Sequence, residues 1–188
     1  MCVGLLLAAL VSGCAGTSVS PESVVPAAQA PMLQGEAFGL EGRLQVRDGE
    51  RSAAVGLEWQ HAEARDEWLL TGPLGQGLAR IEAGPTGAVL QTSDGRRYPA
   101  TSAAALMQSL VGIAAPLELL PRWVTARLHP DAEVRERDAQ GRPARVVDQG
   151  WTIEYTEYAG DGPAALPRRV DIHQGDTRLR LIVDAWNP

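Results

Sequence analysis

From Phe38 onward, apolar side chains recur at every second position, and glycine-bearing turns break the runs. A period of two puts alternate side chains on the same face of an extended strand, which confines such a chain to a sheet with one apolar face. In LEGRLQV, Leu40, Gly42, Leu44 and Val46 share one face, and Glu41, Arg43 and Gln45 share the other. Asp48-Gly49 signals a hairpin, and its return strand carries Val55, Leu57 and Trp59 together. DEWLL is a third strand; LARIEA and AVLQT follow, split by the turn GPTG, and SDGRRY holds another Asp-Gly turn. Strands resume at EVRERD and ARVVDQ, and in WTIEYTEY the residues Trp151, Ile153 and Tyr155 alternate with Thr152, Glu154 and Thr156. RRVDIH pairs with TRLRLIVDAW across Gln174-Gly175-Asp176. Successive strands joined by tight turns predict an antiparallel sheet. This many strands curl to remove their edges, which makes the apolar face a concave interior.

The period changes once. In TSAAALMQSLVG, Leu106, Met107, Leu110 and Val111 form a helical stripe, with Thr101 or Ser102 as N-cap and Gly112 as the closing residue. PLELLPRWVTARL predicts a second helix with Leu120, Trp123, Val124 and Leu128 on one side. Pro121 fits only in a first turn, so this helix starts late or is kinked. Two helices inserted midway would cover the mouth of the curled sheet.

Residues 3–11, VGLLLAALV, form an apolar run too short for a membrane span, which needs roughly 20 residues. The run matches the core of a signal peptide. A signal peptide ordinarily has basic residues before this core; none precedes Val3, and a start upstream of Met1 would supply them. Val11-Ser12-Gly13-Cys14 matches the bacterial lipobox, an aliphatic residue and two small ones before Cys. The match implies a signal peptide over residues 1–13 and an acylated Cys14 as first residue of the mature chain. The residue after it is Ala15, not the Asp that favours inner-membrane retention, so the expected location is the periplasmic face of the outer membrane. Residues 14–37, rich in Ser, Pro, Ala and Gly, would be a flexible tether, and residues 38–188 the folded domain.

Several chemistries have no support. Net charge is −6 and all 17 basic residues are Arg without a basic block, so nucleic acid is a poor partner. Both cysteines lie before residue 15, which leaves no disulfide or thiolate metal site in the domain. No hydrolase, zinc-protease, nucleotide-binding or redox motif occurs. His61, His129 and His173 are scattered and read as solvated surface residues. No enzyme, cofactor or metal is expected.

TGPLGQGL, residues 71–78, is turn chemistry around a bare Leu74. Single exposed apolar residues are ordinary. A leucine on a loop tip also suits contact with something apolar outside the protein.

Taken in order, LEGRLQV, GLEWQ, WLLTGPLGQGLARI, DGRRYPA, LVGIAAPLELLPRWV, DQGWTIEYTEY, LPRRVDI and LRLIVDAW resemble the LolB family of outer-membrane lipoproteins over residues 38–186. That resemblance implies an incompletely closed antiparallel β-barrel, a half-barrel, with a helical lid over an apolar cavity. It implies a monomer that takes acylated lipoproteins from the periplasmic carrier LolA and inserts them into outer-membrane lipid. It further implies that the loop Pro73-Leu74-Gly75 meets the membrane, with Leu74 in the family's functional position. Cavity-facing candidates are Leu44, Val46, Val55, Leu57, Trp59, Leu70, Trp151, Ile153, Leu179 and Leu181. The same alternation would serve a filled core, so lining and core remain open for each. A lipid or glycolipid carrier on the same fold and a structural envelope lipoprotein are the other readings.

Overall fold

The structure, a computed structural model, describes residues 37–111 and 117–187. The lipobox, Cys14, the tether and Gly112 lie outside the described residues, as do the side chains of Leu110 and Val111. Six strands precede the helical insert: β1 (Phe38–Asp48), β2 (Arg51–Ala62), β3 (Arg65–Thr71), β4 (Gly77–Gly84), β5 (Gly87–Thr92) and β6 (Arg97–Ala100). The helices are α1 (Ala103–Val111) and α2 (Leu120–Val124). Five strands follow: β7 (Glu133–Arg137), β8 (Pro143–Asp148), β9 (Trp151–Tyr158), β10 (Pro167–Gln174) and β11 (Thr177–Asn187).

The eleven strands among the described residues form one antiparallel sheet in the order β6-β5-β4-β3-β2-β1-β11-β10-β9-β8-β7. Each half is a meander, and the first strand pairs with the last along its length, from Gly39 opposite Asn187 to Asp48 opposite Thr177. The edges are β6 and β7, so the barrel does not close between them. Both edges are blunted in the usual ways: β6 is four residues long and contains Pro99, and β7 is the charged EVRER.

The alternation is obeyed closely. One face carries a buried row of Leu40, Trp59, Trp68 and Ile81, paired across β1 to β4. Its other half carries Val46, Leu179, Ile172, Ile153 and Val146, paired across β1 and β11 to β8. The opposite face is polar. There Arg145 reaches Glu136 at 2.6 Å and Glu154 at 3.1 Å, and Asp171 pairs with both Arg169 and Arg180. Where β1 meets β11 the register shifts between Glu41 and Gly42, and a Cβ on Gly42 would overlap the carbonyl oxygen of Ile182. Glycine at this site permits the close approach of the two backbones.

The helices pack on the apolar face. Ser102 caps α1 as expected, its Oγ accepting the Ala105 N–H at 3.1 Å, and Leu106 is buried. The second helix is shorter than its pattern predicts. It begins at Leu120 with Pro121 in the first turn and ends at Val124. Ala126 takes φ +54°, and Arg127 and Ala126 donate their amides to the carbonyls of Arg122 and Trp123. This six-to-one and five-to-two pair of bonds is a Schellman closure. Leu128 therefore lies beyond the helix, packed against the core from a loop.

Trp123 fastens the insert. Its side chain is wholly buried, its indole Nε1–H donates to Asp148 Oδ2 at 2.8 Å, and its carbonyl accepts the Tyr155 hydroxyl at 2.9 Å. Burial first, then the nearby Tyr158 and Asp148, holds the Tyr155 hydroxyl well above the ordinary phenol range.

Candidate functional site

The turn between β3 and β4 is built from its own amides. Gly75 N–H donates to the Gly72 carbonyl at 2.9 Å, closing a four-residue turn with Pro73 and Leu74 at its centre. Pro sets φ for the first central position, and Gly75 adopts φ +77°, open to glycine at no steric cost. Gly72 N–H donates to the Gln76 carbonyl at 2.8 Å, which shuts the base of the loop. Leu74 sits at the tip with 93% of its surface exposed. A second large apolar side chain, Leu78, is exposed at the start of β4.

The ten apolar candidates all belong to the inward face, but they divide by burial. Val46, Leu57, Trp59, Trp151, Ile153, Leu179 and Leu181 are buried in the core. Leu44, Val55 and Leu70 are only half-buried. These three are neighbours: Leu44 lies opposite Val55, and Leu70 lies opposite Leu57, one diagonal step from Val55. Following β2 from Trp59 through Leu57 to Val55, or β3 from Trp68 to Leu70, leads from the closed tryptophan row toward the turn that carries Leu74. Along β2 and β3, then, the apolar face loses cover toward the end where an apolar side chain leaves the fold.

The opposite end of the same strands is sealed by aromatic rings. Phe38 meets Trp59 at 5.1 Å, Trp186 at 5.7 Å and His61 at 5.0 Å, and Trp59 lies 5.7 Å from Trp68. His61 corrects the sequence expectation of a solvated residue. Its ring stacks on Phe38, and its Nδ1 sits 2.7 Å from Asp66 Oδ1, which also accepts the Trp59 indole N–H at 2.8 Å. The β2–β3 register places His61 directly opposite Asp66, so counting back from the turn at residues 63–64 was the signal that could have found this pair. His129 lies 3.3 Å from Asp131 on the surface, and His173 is half-buried on β10. Among the described residues no three His, Cys, Asp or Glu side chains gather as a metal site.

A surface groove of about 490 Å³ lies on the other side of the sheet, lined by Gln45, Arg47, Glu154, Asp171, Arg178 and neighbouring polar groups. Its charged lining suits water and ions rather than acyl chains. No described helix is long and apolar enough to cross a membrane.

Comparison with known proteins adds to this geometry. The sequence model of the family described as outer membrane lipoprotein LolB matches residues 36–186. A relative from Azoarcus sp. named outer-membrane lipoprotein LolB is 46% identical over 180 residues, covering 95% of this chain and 90% of the relative. Another of the same name, from Thiobacillus denitrificans, is 36% identical, with 96% and 93% covered. Among solved structures, a DUF1329 family protein from Desulfovibrio piger superposes with TM-score 0.54 over 81% of this chain and 85% of that one, at 4% identity, a likeness of fold alone. The half-barrel and the family match over most of the chain agree: this protein belongs to the outer-membrane lipoprotein LolB family.

Proposed function

We propose that the protein accepts acylated lipoproteins from the periplasmic carrier LolA, shelters their acyl chains against its inward apolar face, and releases them into the inner leaflet of the outer membrane. The observation that carries this reading is the pairing of a fully presented Leu74 with the half-covered Val55 and Leu70 toward the same end of β2 and β3. Acylation at Cys14 would hold the domain at the bilayer, since two or more acyl chains anchor a protein stably. Leu74 adds too little for attachment, as burying one leucine contributes roughly 1.5–3 kcal/mol. Its place at the open end suits another role, presenting that opening to lipid so that cargo leaves into the bilayer. No nucleotide is required if each step is downhill, and about 1.4 kcal/mol already biases a transfer tenfold.

The test mixes the unacylated chain, residues 15–188, with carrier loaded with a labelled lipoprotein, then adds liposomes. The label is expected to pass to this protein and onward to lipid. Leu74→Glu, at a position without packing, should change stability by less than about 0.5 kcal/mol. It should take up cargo normally and release it poorly. Label that stays on the carrier refutes the receptor role, and equal release by Leu74→Glu refutes the role of the loop.

A further inference from the structure

We propose that Gln76 is a positioning residue for Leu74, and that its carboxamide lets the loop tip leave water by supplying the hydrogen bond that Leu74's amide would otherwise take from solvent. The inference rests on the reading that Leu74 enters the bilayer surface.

Entering lipid strips water from the backbone as well as from the side chain. A peptide N–H left without a partner in an apolar medium costs several kcal/mol, which would cancel what the leucine side chain contributes. In this loop every such donor from residue 72 to residue 75 is provided for internally. Gly72 N–H goes to the Gln76 carbonyl and Gly75 N–H to the Gly72 carbonyl, while Pro73 has no N–H at all. The remaining donor is the Leu74 N–H, at the apex, and it is taken by Gln76 Oε1 at 3.1 Å. Main chain and side chain of Gln76 thus both serve the loop, although the residue is exposed.

Gly72 belongs to the same device. A Cβ there would overlap the Gln76 carboxamide, so only glycine leaves room for the side chain to fold back over the turn. Gly72 does not adopt a positive φ, so alanine meets no left-handed backbone penalty there. Gly72→Ala therefore displaces the Gln76 side chain while leaving Gln76 in place.

The experiment follows two readouts in the unacylated chain. The first is amide hydrogen exchange at Leu74. Gln76→Leu and Gly72→Ala should each speed it by about twofold to tenfold, the loss of one ordinary hydrogen bond. Gln76→Glu keeps an acceptor and should preserve protection. The second readout is transfer of labelled lipoprotein from loaded carrier to liposomes. Gln76→Leu makes the tip more apolar, so greasiness alone predicts faster release. The proposal predicts the reverse, release slowed on the order of tenfold with uptake unchanged, because an amide must now be desolvated without a partner. Gly72→Ala should behave in the same way. If Leu74→Glu stalls but Gln76→Leu and Gly72→Ala deliver normally, or if neither changes exchange at Leu74, the role of Gln76 is overturned. If Leu74→Glu itself delivers normally, the reading of the loop fails, and the Gln76 proposal falls with it.

Discussion

Replacing Trp123 by Phe separates hydrogen bonding from packing in the attachment of the helical insert. Trp123 is wholly buried, 6.0 Å from Trp151, and its indole donates to Asp148, itself only 4% exposed. Phe keeps a ring in place and leaves the Tyr155 hydroxyl bonded to the backbone carbonyl, but it deletes the Nε1–H. A hydrogen bond to a carboxylate contributes about 1.5–3 kcal/mol. The missing part of the indole adds about 1 kcal/mol in lost transfer energy and residual cavity. The expected destabilisation is therefore about 2.5–4 kcal/mol, or roughly 5–15 °C in Tm for a domain of this size. Urea unfolding of residues 15–188 measures it. The decisive quantity is the coupling in a double-mutant cycle with Asp148→Leu. With the acceptor gone the buried indole N–H is left unpaired, so Trp123→Phe should cost no more than its packing share, and the coupling should be at least about 1.5–3 kcal/mol. A coupling below about 0.5 kcal/mol would show that the indole is held by shape alone and would refute the reasoning.

Two further outcomes follow from the same core. Gly42→Ala should destabilise by about 1–3 kcal/mol with an unchanged urea m-value, because the added methyl meets backbone of β11 that cannot rotate away. Stability should also fall at alkaline pH. Burial raises the hydroxyls of both Tyr155 and Tyr158 above the ordinary phenol range, so the folded state keeps protons that the unfolded state has released. Their stabilisation is complete below about pH 10 and declines above it, by about 1.4 kcal/mol per pH unit for each tyrosine, until the folded hydroxyl itself ionises. Tyr155→Phe should reduce that slope by one tyrosine's share, and urea midpoints measured on either side of pH 10 check it.

The strands were legible because their signal is local. Alternation in LEGRLQV and WTIEYTEY reports which face is apolar whatever the partner strand, and both faces come out as read. Ser102 was legible as a cap for the same reason. The pairing of β1 with β11 was not legible from residue patterns, since nothing in either segment names a partner so far along the chain. The early end of α2 was hidden because Ala126 occupies a left-handed position that glycine usually marks. Asp66 and Asp148 stand two residues from Trp68 and Val146 on the inward face, and their service to buried indoles follows from register and burial. The exposure of Leu74 was legible because a leucine among turn residues is out of place in a sequence. Gln76 carries no such contrast in sequence, and its bond to the Leu74 amide shows only in the structure.

The pairing of the first strand with the last has a consequence for how the protein is made. A chain that enters its compartment from the N-terminus can form the β1–β6 meander early, yet β1 then lacks its second neighbour until β11 is released. During that interval an eleven-residue strand stands unpaired along one side, with Leu40, Leu44 and Val46 uncovered. Such a strand is a template for adhesion to other chains. Delay in releasing the final strand is therefore expected to raise this hazard. Truncations that remove β11 should accordingly produce aggregates rather than a smaller working domain.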